Sequence, residues 1–202
     1  MQEQIDIAAR QSILAQLEKH ITLTPAEQEL LLSFFQVKKL RRRQYLLQAG
    51  DVCKYESFVI EGCLRSFYVD DNGDEHTLHF AIEDWWISDL GSFLRQQPAA
   101  VHIEALSPVT VLQLDLPALE QLYHRIPAFE KYFRILHQNA YIAQNERILH
   151  NISMTGAQRY EAFLKKYPAL PQRIPQKYLA SYLGITPVFL SQIRAKNTGK
   201  EE

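Results

Sequence analysis

The sequence predicts an α+β chain: an N-terminal antiparallel β-roll (a jelly roll) with flanking helices, a long helix, and a C-terminal winged helix-turn-helix. Three observations carry that prediction. Between Val37 and Asp115, short runs rich in Val, Ile, Phe, Tyr and Trp alternate with turn signals, a spacing that fits an antiparallel sandwich or jelly roll rather than a parallel sheet. From Pro127 to about Asn151, apolar residues recur at helical spacing. The stretch QKYLASYLGITPVFLSQIRA, Gln176 to Ala195, places small and apolar residues where two crossing helices need them.

The N-terminus reads as a helix from about Ile5 to Lys19, followed by a second announced by Thr24-Pro25-Ala26-Glu27. That tetrad combines an N-cap, a proline at the first helical position and a capping-box glutamate. The strand region is punctuated by Ala49-Gly50-Asp51, Glu61-Gly62, Asn72-Gly73 and Ser107-Pro108, of which Asn72-Gly73 is a strong hairpin signal. Arg41-Arg42-Arg43 reads as an exposed strand edge whose charge discourages aggregation. After Pro117 the pattern turns helical, briefly to about Tyr123 and then at length from Pro127. The long helix would span roughly 37 Å at about 1.5 Å per residue.

Along the long helix, Phe129, Phe133, Leu136, Ala140 and Ala143 recur at alternating steps of four and three, while Ile135, Ile142 and Leu149 recur at seven. One stripe can lie on the roll while the other pairs with a second copy in a coiled coil; a single broad core-facing stripe is the alternative. The first set is assigned to the dimer helix, although the spacing leaves open which stripe forms the seam. A further helix, about Thr155 to Tyr167, precedes the C-terminal pair. Pro168, Pro171 and Pro175 then suit a short wing connection and exclude another helix.

In the C-terminal stretch, Gly184 can take the positive φ of a tight turn, and Ala180 sits where a larger side chain would push the helices apart. Leu179, Leu183, Ile185, Leu190 and Ile193 point into the wedge. Thr186 is a natural N-cap and Pro187 occupies the first position of the second helix. Thr186, Pro187, Val188, Ser191, Gln192 and Ala195 then remain outward, where a DNA major groove would lie. Gln192 can pair with adenine and Val188 can pack on a thymine methyl, while Lys177, Arg194 and Lys196 are placed to hold phosphates. A plain helical corner is the alternative.

The 202 residues, 47% hydrophobic and 22% charged, supply one large or two modest cores. The absence of a bilayer-length apolar run or of a signal peptide predicts a cytoplasmic protein without membrane contact. Cys53 and Cys63 are read as buried free thiols, too few for a disulfide scaffold or an iron–sulfur cluster. The net charge of −1 hides an asymmetry: from Thr155 onward eight Lys or Arg face three Glu, giving +5 and leaving −6 for residues 1–154. A basic end carrying the helix pair fits an electrostatic footprint for DNA.

Helix pair, β-roll, long helix and C-terminal helix-turn-helix, in that order, resemble the CRP/FNR superfamily of bacterial transcription regulators across essentially the whole chain. In the roll, EGCLRSFYVDDNGDEHTLHFAIEDWWISDLG (Glu61 to Gly91) is similar to that family's cyclic-nucleotide-binding fold. The closing RIPQKYLASYLGITP resembles readers in a branch typical of Bacteroidetes-like sequences. The resemblance implies a sensor-type roll over 1–126, a dimerisation helix over 127–152 and a DNA-binding domain over 153–202. It also implies a homodimer on a palindromic site in double-stranded DNA, with RNA polymerase as a further candidate partner.

The phosphate-binding cassette departs from those relatives. Cyclic-AMP binders carry Gly-Glu-Leu, then an Arg beside a Ser or Thr; here Ser88, Asp89 and Leu90 stand first, and Ala99 and Ala100 replace the later pair. A buried phosphate without its charge partner typically costs several kcal/mol, which argues against cyclic AMP as effector. Arg95 could reach the vacancy, in which case the roll remains a nucleotide or other small-molecule sensor. Otherwise Trp85, Trp86 and Phe93 fill the space. The candidate effector pocket is therefore Ser88, Asp89, Leu90, Arg95, Ala99 and Ala100, with no effector identified. A cupin-like metalloenzyme is a further alternative. His76 and His79 would point to opposite faces of a strand, and His102 with Glu104 lacks a third ligand. With neither a phosphate loop nor a nucleophile motif, the expectation is a non-enzyme with no metal and no cofactor.

Overall fold

The computed structural model describes residues 6–198. Helix α1 (Ile7–Glu18) starts where the Asp6 carboxylate accepts the Ala9 N–H at 2.7 Å, and it buries Ala9, Ile13 and Leu17. Ile5, where the sequence places its start, lies outside the described residues. Helix α2 (Pro25–Phe34) carries the full capping box: Thr24 Oγ1 accepts the Glu27 N–H, and the Glu27 carboxylate accepts the Thr24 N–H at 2.7 Å.

Eight strands follow: β1 (Gln36–Leu40), β2 (Tyr45–Leu47), β3 (Tyr55–Glu61), β4 (Leu64–Val69), β5 (Glu75–Ala81), β6 (Trp86–Ile87), β7 (His102–Ala105) and β8 (Val109–Asp115). They form two four-stranded sheets, ordered β1-β8-β3-β6 and β2-β7-β4-β5. In the first, β8 is the antiparallel partner of both β1 and β3, with Val37 opposite Leu112 and Phe58 opposite Leu112 from the other side. Gly62 makes the β3–β4 turn possible: its φ is 100°, and a Cβ there would stand 2.3 Å from the Pro108 carbonyl oxygen. Asn72-Gly73 does sit in a hairpin turn, but in the longer loop between Val69 and Glu75, where the Asp70 carboxylate accepts the N–H groups of Asn72 and Asp74, both at 2.9 Å. Arg41 to Arg43 fall in the turn between β1 and β2, not on a strand edge, with Arg43 at φ 68°.

Helix α3 (Leu90–Arg95) interrupts the roll between β6 and β7; α4 (Leu116–Arg125) and α5 (Pro127–Ser153) follow it. Then come α6 (Gly156–Lys166), a short 3₁₀ turn at Leu170–Gln172, α7 (Gln176–Leu183) and α8 (Pro187–Thr198). The 3₁₀ turn corrects the expectation of no helix there. Pro171 sits at its N-terminal end, where no N–H is required, and Leu170 and Pro171 are both buried. No strand follows Asp115 among the described residues, so the connection to α7 carries no β-wing.

The chain divides into two compact units, one of residues up to Ser66 with Phe80–Asn139, the other of Phe67–His79 with Ala140 onward. The first has its core between the sheets and α5: Trp86 Nε1 donates to Tyr132 Oη at 2.9 Å, and its ring meets those of Phe58 and Phe133 at 5.3 and 4.9 Å. Phe93 is fully enclosed and Trp85 partly so. Arg65 on β4 is buried too, and Nε and Nη2 both donate to Glu104 on β7, at 2.9 and 2.7 Å. In the second unit Tyr160, Phe163, Leu170, Ile174, Leu179, Leu183, Leu190 and Ile193 are buried.

Candidate functional site

The turn between α7 and α8 closes as a Schellman motif. Gly184, at φ 64°, donates its N–H to the Ser181 carbonyl at 3.1 Å, and Ile185 donates to Ala180 at 3.0 Å. Thr186 Oγ1 then accepts the Phe189 N–H at 3.1 Å, capping α8 above Pro187. Leu179, Ala180, Leu183, Leu190 and Ile193 are buried in the wedge, and Ile185 is half-buried. One helix is thus laid across another with a face to spare.

On that face Thr186, Pro187, Gln192, Arg194, Ala195 and Lys196 are exposed, and Val188 is 68% exposed. Lys177 is exposed on α7, its Nζ 4.5 Å from the Tyr178 ring centre. Ser191 is exposed but engaged: its Oγ donates to the Pro187 carbonyl at 3.0 Å and accepts from Gln176 Nε2. Gln176 Nε2 also reaches the Pro187 carbonyl at 3.1 Å, so it braces α7 against the start of α8.

Sequence reasoning missed the groups that hold α7 in place. Arg159 of α6 donates from Nε to the Leu183 carbonyl and from Nη1 to the Met154 carbonyl, both at 2.8 Å. Arg147 of α5 donates from Nη2 to the carbonyls of Thr77 and Tyr182, at 3.3 and 3.2 Å, and from Nη1 to that of Leu78. Its guanidinium lies 4.1 Å over the Tyr182 ring. Ser181 Oγ accepts the Thr77 N–H at 2.8 Å and donates to the Glu75 carbonyl at 3.0 Å, which fastens α7 to the outer end of the β4–β5 hairpin. Because their partners are backbone groups, no sequence motif marks these three residues. Gly156 did carry a signal, a glycine just after an N-cap threonine: a Cβ there would stand 2.6 Å from Ile185 Cγ2 and 2.9 Å from Phe189 Cε1.

The long helix divides its two stripes. Phe129 and Phe133, assigned to the dimer helix from the sequence with the seam-forming stripe left open, are buried in the first unit's core, because their rings complete the cluster around Trp86 and Tyr132. Leu136 packs partly against the same core. Further along, Ala140 and Ala143 line a cavity inside the second unit. Tyr141, Ile142, Ile148, Leu149 and Ile152 are left exposed, between 55% and 78%.

The roll contains a cavity of about 610 Å³ lined by Tyr45, Leu47, Cys53, Ser57, Ser88, Ile103 and Gln113 among others. Gln113 Nε2 donates to Ser57 Oγ at 3.1 Å. Ser88 Oγ donates to the buried Glu56 carboxyl at 2.9 Å, yet burial outweighs that bond and pushes Glu56 up to about 7. Of the six candidate effector residues only Ser88 lines this space. Asp89 is committed to capping α3, accepting the Ser92 N–H at 3.0 Å. Arg95 is folded back on its own helix, its Nη2 only 2.7 Å from where a Gly91 Cβ would be. Leu90 is 37% exposed, Ala100 is exposed, and buried Ala99 joins Gly50 and Asp51 through backbone bonds of 2.8 Å. Glu104, weighed as a metal ligand, is taken by Arg65, and His102 Nδ1 accepts the Ala49 N–H at 3.2 Å. Among the described residues no three His, Cys, Asp or Glu side chains converge on a metal position. No helix among them is long and apolar enough to cross a membrane.

Residues 37–125 match the family model described as the cyclic nucleotide-binding domain. No curated protein sequence matches the chain. Among solved structures, FixK2 from Bradyrhizobium japonicum shares the fold at a TM-score of 0.73 and 15% identity, over 83% of this chain and 86% of that one. A CooA mutant from Carboxydothermus hydrogenoformans gives 0.68 and 16%, over 92% and 88%. The Thermus thermophilus catabolite activator protein gives 0.56 and 21%, over 92% and 88%. The chain therefore has the fold of CRP/FNR-type regulators: a mixed α and β architecture with an antiparallel roll and a long helix.

Proposed function

We propose that the protein is a DNA-binding transcription regulator that acts as a homodimer on a roughly palindromic operator, and that it is not an enzyme. The observation that carries this reading is the Gly184 turn, which presents α8 with Val188 and Gln192 outward while its other face is buried. Such a helix enters a major groove, and two copies read half-sites about one turn apart. The exposed apolar residues of α5, with Ile142 and Leu149 seven apart, supply a surface for the second copy. Regulation acts through the spacing of the two reading helices, which any effector shifts only by binding one arrangement better.

Cyclic AMP is not that effector. The cassette offers no arginine toward the roll cavity: Arg95 lies on Gly91, and Arg65 is neutralised by Glu104. Selection from a random DNA pool tests the main reading. An enriched inverted repeat is expected, with binding abolished by Gln192→Ala plus Arg194→Ala. No enrichment, together with no salt-sensitive DNA binding, overturns it. A thermal-shift series with cyclic nucleotides is expected to show no stabilisation at millimolar ligand.

A further inference from the structure

The second unit carries a partly open cavity of about 180 Å³ between α5, α6 and the end of α7. At about 30 Å³ per water molecule it has room for some six waters, or for one tetrahedral oxyanion with water to spare. Its lining is cationic. Arg147, Arg159 and Lys166 face it, and the one carboxylate in the lining is Glu146. Lys166 and Glu146 hold each other at 3.0 Å, which cancels that pair. The two guanidiniums remain.

Their hydrogen-bond partners are carbonyl oxygens: those of Thr77, Leu78 and Tyr182 for Arg147, and of Met154, Leu183 and Gly184 for Arg159. Several belong to the C-terminal turn of α7, whose dipole is worth only about half a negative charge. The Met154 carbonyl adds the C-terminal end of α5, so two positive charges stand against about half a negative charge from each of two helix ends, an excess of about +1 in a half-buried site. Burial accordingly lowers the pKa of Arg147. Donors also remain: Arg147 Nε is buried with no hydrogen-bond partner, and Arg159 Nη2 has only a 3.4 Å bond to Gly184. His150, Gln144 and Asn151 add polar groups to the same wall.

We propose that this cavity binds a small oxyanion of the phosphate class, held by the guanidinium groups of Arg147 and Arg159 and compensating their charges. The ligand is a phosphate group, either free or at the end of a small ester. Because α5, α6 and α7 all contribute, its binding stiffens the unit that carries α8.

The test uses the full chain without DNA, at constant ionic strength set by chloride. Inorganic phosphate and phenyl phosphate are titrated by calorimetry, with thermal unfolding in parallel. Saturable binding at millimolar or lower concentration and a matching rise in melting temperature are expected. Tighter binding of the inorganic ion identifies the free anion, and tighter binding of phenyl phosphate identifies an ester. Arg147→Met is expected to weaken binding at least tenfold. If that variant fails to fold, His150→Phe, which narrows the cavity, removes one of its polar groups and keeps both arginines, serves in its place. Lys177→Ala and Lys196→Ala, on the exposed DNA-facing side, are expected to leave binding unchanged. Absence of saturable binding to wild-type protein overturns the proposal, as does binding lost in the lysine variants but kept in His150→Phe.

Discussion

Gly156→Ala tests how closely the reader is packed on the helix before it. The glycine is at the first position of α6, after the Thr155 cap, and it needs no positive φ, so conformational freedom is not why it is there. Space is. An added methyl would lie 2.6 Å from Ile185 Cγ2, a β-branched side chain in the α7–α8 turn, and 2.9 Å from the Phe189 ring. Phe189 is 42% exposed and can swing away; Ile185 is half-buried beside Gly184 and cannot move without moving the turn. Overpacking of this kind costs about 1–3 kcal/mol, and the roughly 0.5–1 kcal/mol of helix propensity that alanine gains in a helix interior is only partly realised at the first helical position. The net expectation is a destabilisation of about 1–2 kcal/mol in the second unit. Urea unfolding followed by far-UV circular dichroism reads it. Both tryptophans, Trp85 and Trp86, belong to the first unit, so their fluorescence serves as an internal control that should not shift. Ile185→Ala removes Cγ2, and in the double variant the penalty of Gly156→Ala should largely vanish. A neutral or stabilising Gly156→Ala, or a penalty that persists without Ile185 Cγ2, refutes the packing argument.

Three further perturbations probe other parts of the molecule. Burial raises the Glu56 carboxyl from 4.5 to about 7, so the folded state holds its proton more firmly than the unfolded one. Stability should therefore fall as pH rises between those values, by on the order of 3 kcal/mol, and level off above pH 7. Glu56→Gln should abolish that slope and exceed wild type above pH 7, as read from melting temperatures between pH 5 and 8. Glu104→Ala removes the carboxylate 2.7 Å from the buried Arg65 guanidinium and should cost about 3–5 kcal/mol, while Arg65→Met with Glu104→Met should recover much of it in urea titrations. Ile142→Glu with Leu149→Glu should yield monomers by light scattering, whereas Phe133→Ala should cost the roll about 3–5 kcal/mol and leave the oligomeric state unchanged.

Features with local causes were legible in the amino-acid sequence. The Thr24 capping box, the Asn72-Gly73 turn and the Ala180, Gly184, Thr186, Pro187 series each depend on residues within a few positions of one another, and each forms as its chemistry requires. What depended on distant partners was not. Periodicity placed two apolar stripes on α5, but only the ring cluster from β3, β6 and α5 determines that Phe129 and Phe133 go inward and Leu149 stays out. No role for Arg147 or Arg159 in holding α7 could be read from the sequence, because their acceptors are main-chain carbonyls, which leave no trace in residue type. Ser191 read only as an outward residue for a similar reason, since its bond from Gln176 spans the turn. The cassette lay in between: the loss of its arginine was plain at Ala99, while the folding of Arg95 onto Gly91 depends on side-chain geometry.

The two units treat buried positive charge in opposite ways, and this bears on where an anion can act. In the roll, Arg65 is almost wholly excluded from solvent and has a carboxylate 2.7 Å away, so an incoming phosphate would meet a charge already compensated and would have to compete with Glu104. Displacing that carboxylate would leave it buried without a partner, a cost of the same size as the gain. In the second unit, Arg147 and Arg159 have carbonyl dipoles in place of a carboxylate, and a cavity opens beside them. A phosphate entering there displaces no counter-charge. In the roll the cavity is lined by a lysine, Lys54, with the buried arginine already neutralised, whereas beside α7, the helix that supports the reader, two guanidiniums stand without a carboxylate of their own.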